Sequence, residues 1–147
     1  AHGPAHRANR LFVGEGYMDA TALARCGIGE VVASLGTALT ETQLKLAWAM
    51  ADEPVLCFDG DKAGRAAASR AMDRVVPLLA SGKSAQILTL PDGADPDDIV
   101  RDGGRDAFEA QRGDGAAALR PCGGHSRSRA QPDLSGLFPA ARVRAAP

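Results

Sequence analysis

Two carboxylates one residue apart, Asp59 and Asp61, follow directly on the apolar run Val55–Phe58. Carboxylate oxygens are the ligands that Mg²⁺ and Mn²⁺ prefer, and neither acid can serve as apolar filler. Gly60 between them lets the backbone turn tightly enough for both to face one point. The same residue types also make ordinary strand-to-helix turns, so Asp-Gly-Asp by itself carries either reading. Other acids occupy comparable places. Glu15 follows the apolar residues 11–13 and is flanked by Gly14 and Gly16. Asp95 and Asp97 follow the apolar stretch 86–90 in the segment Pro91-Asp92-Gly93-Ala94-Asp95-Pro96-Asp97-Asp98. Clustered carboxylates must bind a cation or raise their own pKa values, because like charges repel. Competing chemistries find no support. There is no G-x-G-x-x-G fingerprint and no lysine-bearing P-loop. His2, His6 and His125 lie in terminal segments without apolar periodicity, and no serine or cysteine nucleophile scheme can be assembled. Carboxylates and a cation remain, and their natural substrate class is phosphate, as a phosphodiester or a nucleoside triphosphate.

Those acids need elements to hold them. Residues 11–13 read as a strand that Gly14 weakens, at about 0.5–1 kcal/mol for a glycine inside a strand. Residues 18–26 read as a helix, with Met18, Ala22, Leu23 and Cys26 on its inner face and Asp19 in its first turn, where negative charge is favourable. Residues 31–35 form a second β run. Thr40 and Gln43 make a capping box for a helix carrying Leu44, Ala47 and Trp48. Trp48, the only tryptophan, reads as packing rather than a stacking platform. A long helix over 63–79 follows the Asp-Gly-Asp turn, with Ala67, Ala71, Val75 and Leu78 on one face and Pro77 kinking or ending it. Residues 86–90 are the fourth strand. Asp95 caps a short helix whose first turn holds Pro96, Gly103 and Gly104 close it, and residues 105–111 form a last short helix. This alternation predicts an α/β fold with a mainly parallel sheet of about four strands flanked by helices. In such sheets ligands gather at the carboxyl ends of the strands, so Glu15, Asp59, Asp61, Asp95 and Asp97 should surround one site.

The 147 residues allow one modest domain. The net charge of −1 does not point to nucleic acid or membrane, but its distribution is uneven. Residues 1–112 carry 12 basic against 16 acidic side chains, a net −4, and residues 113–147 carry 5 against 2, a net +3. Cys26, Cys57 and Cys122 fit neither a zinc pattern nor a disulfide scaffold, and the first two read as buried thiols of a reducing compartment. No run of 18 apolar residues exists to span a membrane. Residues 1–10 read as a disordered lead-in. Residues 113–147, rich in Gly, Pro, Ala, Ser and Arg, read as a disordered or unrelated tail, whether from an altered reading frame, a degraded gene end or a species-specific extension. Without an initiator Met, the chain reads as a piece cut from a longer one.

Four blocks in order carry a family resemblance: Glu15-Gly16-Tyr17-Met18-Asp19, Ala33-Ser34-Leu35-Gly36-Thr37-Ala38-Leu39-Thr40, Phe58-Asp59-Gly60-Asp61-Lys62-Ala63-Gly64-Arg65, and Leu90-Pro91-Asp92-Gly93-Ala94-Asp95-Pro96-Asp97. Together they resemble the Toprim domain of bacterial DNA primase, over residues 9–112. The resemblance implies a Rossmann-like Toprim fold over 11–112. It also implies two Mg²⁺ ions, for which Mn²⁺ can substitute, one held by Glu15 and Asp59 and the other by Asp59 and Asp61. Asp95 and Asp97 would be further metal-holding acids of the same site and Asp19 a supporting one. Lys62, Arg65 and Arg70 are either phosphate contacts or a solvated helix face. The implied activity is nucleotidyl transfer that makes short RNA primers at the replication fork of a bacterial cytoplasm. The implied partners are a single-stranded DNA template, nucleoside triphosphates and the replicative helicase, the last through regions outside this chain. The alternatives are a stand-alone Toprim nuclease and a noncatalytic nucleic-acid-associated module. Gly14 stands where the family usually has a β-branched residue, so the first strand is expected to be looser.

Overall fold

A computed structural model describes residues 9–34, 39–80 and 82–121. Five strands form one sheet: β1 (Phe12–Gly14), β2 (Val31–Ala33), β3 (Val55–Phe58), β4 (Ala85–Thr89) and β5 (Ala116–Leu119). Four helices connect them: α1 (Tyr17–Arg25), α2 (Glu41–Met50), α3 (Lys62–Val75) and α4 (Pro96–Gly115). The strands lie in the order β2-β1-β3-β4-β5, the first four parallel and β5 antiparallel to β4. This is the expected α/β architecture with one added strand.

Strand alternation sorts the core into two layers. Leu11, Val13, Leu56, Phe58, Ala85 and Ile87 face α2 and α3. Phe12, Val55, Cys57 and Leu88 face α1 and α4, together with Leu23, Val100 and Phe108. Phe12 and Phe108, both fully buried, meet edge to face with centroids 5.3 Å apart. Burying each such side chain contributes about 1.5–3 kcal/mol. Trp48 is buried and donates Nε1–H to the Ser84 carbonyl at 2.8 Å, which settles its packing role. Gly14 does not break β1. It is buried and stays in register with Ala33.

Several expectations shift. The helix after Asp61 ends at Val75 and tightens into a 3₁₀ turn, Val76–Leu78, that contains Pro77. Its buried residues are Gly64, Ala68, Ala71 and Val75, while Ala67 is only half-buried. Met18, in the first turn of α1, is 74% exposed instead of facing inward; Ala22 and Leu23 do the packing. Gly104 (φ 66°, ψ −161°) breaks α4 into the two helices expected. The folded part does not end at 112. Residues 116–119 close the free edge of β4, with Ala85 opposite Leu119 and Leu88 opposite Ala116. Alanine has little strand propensity of its own, so this pairing is set by the open edge it meets. Leu35 at the end of the second β run, Cys122 and the rest of the tail lie outside the described residues. Among the described residues no helix is long and apolar enough to cross a membrane.

Candidate active site

The strand order reverses between β1 and β3. From β1 the chain passes to β2 on one side, and then through α2 to β3 on the other. The carboxyl ends of two neighbouring strands therefore splay their connections apart, leaving the crevice where open α/β sheets bind ligands. Glu15 leaves β1 there and Asp59 leaves β3.

The turn that carries Asp59 and Asp61 is locked against the loop after β4. Gly60 donates its N–H to the Ala94 carbonyl at 2.9 Å and accepts from Gly93 N–H at 3.3 Å. A Cβ on Gly60 would stand 1.7 Å from the Pro91 carbonyl oxygen. One on Gly64 would stand 2.2 Å from the Asp59 carbonyl oxygen. Gly60 is thus needed less for its turn than for the close approach of two backbones. Arg65 reinforces the lock, with Nη1 donating to the Gly60 carbonyl at 2.6 Å and to Asp92 Oδ1 at 2.7 Å.

Three of the acids cap helices. Asp61 accepts from Gly64 N–H at 2.6 Å at the start of α3, and Asp95 from Asp98 N–H at 2.8 Å at the start of α4. Asp19 reaches back to Gly16 N–H at 3.1 Å. Each spends one oxygen on a helix N-terminus and keeps the other. Asp97 is exposed and 3.7 Å from Arg101. Among the described residues no three His, Cys, Asp or Glu side chains are gathered in ligating reach of one point. The caps give a physical reason: like charges turn toward backbone N–H groups and away from one another.

The site nonetheless carries a strong demand for positive charge. Burial pushes the Asp59 carboxyl up to about 6, helped by Asp19, Glu15, Asp95 and Asp61. Burial also raises Glu15, with Asp61 and Asp19 adding to it while the Asp59 backbone N–H and Arg70 oppose it. Asp19 is raised by burial and by Asp95 and Asp97, against the pull of Gly16 N–H. Glu15 Oε1 is buried with no hydrogen-bond partner. A buried, unpartnered carboxylate oxygen beside a strained acid is what a divalent cation would relieve, so this donor set fits one. Asp59 lies in electrostatic reach of Glu15, Asp19, Asp61 and Asp95, and Asp97 acts on Asp19. Lys62 and Arg70 are exposed, and neither makes an ion pair among the described residues.

Sequence reading missed a charged cluster at the opposite end of the sheet. Glu30, buried at 6% exposure, pairs with Arg10, which also meets Glu109 at 2.9 Å and stacks over Phe12. Arg105 lies 3.9 Å from Glu30 and 3.7 Å from Glu109. Burial would raise the Glu30 carboxyl, but its Arg10 hydrogen bonds outweigh that and hold it low.

A Toprim-like family model matches residues 12–100. The chain belongs to the Toprim-like family. Among curated relatives, the DNA primases of Escherichia coli K12 and Pseudomonas aeruginosa are each 48% identical to it over 103 residues, 70% of this chain. The chain spans only 18% and 16% of their lengths. Among solved structures, a DNA primase domain from Pseudomonas aeruginosa superposes with a TM-score of 0.71 at 46% identity, over 76% of this chain and 36% of that one. A DnaG primase catalytic domain bound to ssDNA gives 0.69 at 42% identity, over 79% of this chain and 38% of that one. The fold seen here is thus shared with those primase structures over 76% and 79% of this chain, and Glu15 and Asp59 stand at the carboxyl ends of β1 and β3.

Proposed function

We propose that this Toprim chain is the cation-holding part of a DNA primase catalytic core, acting in the synthesis of short RNA primers on single-stranded DNA. The observation that carries the reading is the pair Glu15 and Asp59, set at adjacent strand ends across the switch point, both pushed up by burial and neighbouring acids, with Glu15 Oε1 left without a hydrogen-bond partner. The likeness to primase cores, one of them described as bound to ssDNA, supports the choice of reaction.

Glu15 and Asp59 would hold one Mg²⁺, and Asp59 with the free oxygen of Asp61 a second, Mn²⁺ substituting for either. Bound there, the ions would lower the pKa of a primer 3′-hydroxyl and neutralise the triphosphate and leaving pyrophosphate. The chain's own residues do the positioning. The backbone lock at Gly60 fixes Asp59 relative to Asp61, and Arg65 ties that lock to Asp92. Any phosphate contact by Arg65 would use its remaining nitrogens; Lys62 is the exposed alternative. Asp95 and Asp97 add negative potential around Asp19, the supporting acid. Nucleoside triphosphates and a single-stranded template are the partners of this reading, with the replicative helicase engaged through other parts of a full-length primase in the bacterial cytoplasm.

Calorimetric titration of Mn²⁺ into the chain tests the cation site. Binding is expected, and Asp59→Ala should greatly weaken it; an isotherm unchanged by that substitution refutes the site. Labelled ribonucleotide incorporation on single-stranded DNA tests the reaction. The folded part is net acidic and aromatic residues are 4% of the chain, so it lacks the charge and stacking surface that hold a single strand. Synthesis should therefore need an upstream primase region, joined or in trans, and should vanish with Glu15→Gln. DNA cleavage in Mg²⁺ that Glu15→Gln abolishes would assign a nuclease instead.

A further inference from the structure

A cavity of about 160 Å³ opens behind Glu15, between the carboxyl ends of β1 and β3 and the flank of α3. Ala67 and Ala71 leave the room for it, and Glu15, Ser34, Arg70 and Arg74 supply its polar lining. A dry cavity of about this size accepts a body as large as benzene. Its charge is inverted relative to its surroundings: two guanidinium groups against one carboxylate, in a region of the chain that is net acidic. Arg70 makes no hydrogen bond or ion pair among the described residues, although Asp73 lies three positions on. Arg74 uses only Nη1, on the Leu39 carbonyl at 2.6 Å. The two arginines are four apart on one helix, so their repulsion slightly destabilises α3, offset in part by the Glu15 charge acting on Arg70 and by the Leu39 carbonyl. Guanidinium forks match phosphate oxygens two at a time, and a partly enclosed apolar wall strengthens that attraction.

We propose that this cavity is a polyphosphate subsite, in which Arg70 and Arg74 take the pyrophosphoryl end of a nucleotide while Glu15 marks its boundary with the cation site. The proposal rests on the nucleotide reading given above and names where that substrate's phosphates sit.

The probe is inorganic pyrophosphate, titrated calorimetrically into the full 147-residue chain in chelator. Binding should be seen and should weaken as salt is raised. Arg70→Gln should lower affinity about tenfold, the scale of one lost charged hydrogen bond. Arg70→Lys should lose less, and Asp59→Asn, which removes a negative charge nearby, should not weaken binding. Arg74→Gln, whose charge is not among those acting on Glu15, should weaken pyrophosphate as well and keep the wild-type Mn²⁺ isotherm, which separates failure of this subsite from failure of the cation site. Pyrophosphate binding unchanged in a folded Arg70→Gln chain overturns the proposal. Displacement of pyrophosphate by a deoxythymidine oligomer, but not by a nucleoside triphosphate, would give the cavity to a phosphodiester backbone and overturn it equally.

Discussion

Replacing Asp59 with asparagine should stabilise the protein when no divalent cation is present. Asp59 titrates near 6 in the folded chain, against an ordinary 3.8. Between those values the folded state binds more protons than the unfolded one, so stability falls as pH rises through the window. The full shift corresponds to about 3 kcal/mol at 1.36 kcal/mol per unit. Asp59 is only half-buried, and solvent screening reduces the usable figure to about 1 kcal/mol. Asparagine keeps the shape and removes the repelling charge. Asp59→Asn should therefore gain about 1 kcal/mol at pH 7.5, or about 4 °C in Tm for a domain of this size. The gain should shrink as pH is lowered through 6 toward 4, where the wild-type acid is itself neutral. Urea denaturation in chelator across that range measures it directly. A variant less stable than wild type at pH 7.5, or a gain that persists undiminished at pH 4, would show that repulsion is not what Asp59 contributes. Adding Mn²⁺ should reverse the order, because only the wild type gains the bound ion.

Gly60→Ala and Gly64→Ala should each cost about 3 kcal/mol or more, since the new Cβ meets backbone oxygens that cannot swing aside; a melt within 2 °C of wild type would refute the backbone lock. Arg10→Ala should cost about 3 kcal/mol by leaving Glu30 buried without its main partner. In the wild type, Glu30's held-low carboxyl contributes stability above its ordinary range that is lost only as pH falls below it, and urea melts of both proteins compare the two. Limited proteolysis should leave a resistant core that extends past Leu119, because β5 is paired along its length; early cleavage within 112–118 would refute that pairing. Ending the chain at residue 112 should lower Tm, by baring the edge of β4.

The local features of this protein were legible in its residues because each is encoded within a few contiguous positions. The capping box at Thr40 and Gln43, the Asp95 cap before Pro96 and the break at Gly104 all stand where the sequence places them. So does the alternation that makes an α/β sheet with Glu15 and Asp59 at its strand ends. What depends on which backbones become neighbours was not legible. The reason for Gly60 lies in the Pro91 carbonyl, 31 positions away, and not in its own turn. Arg65, whose sequence position reads as a phosphate contact or a solvated helix face, uses one nitrogen to tie two loops together, a bond no local pattern shows. Glu30, an ordinary surface acid by composition, is buried because Arg10, Arg105 and Glu109 arrive from distant segments. The alanine run 116–118 has no strand signal of its own and became β5 only because β4 had an unpaired edge. Arg70 and Arg74 show a helical spacing that any solvated helix face could have; the cavity beside Glu15 exists only once α3 is laid across β1 and β3. The sequence determined the donors and the elements that carry them. The packing of those elements decided which donors share a crevice, because distances between segments are set by tertiary contacts that no local pattern contains.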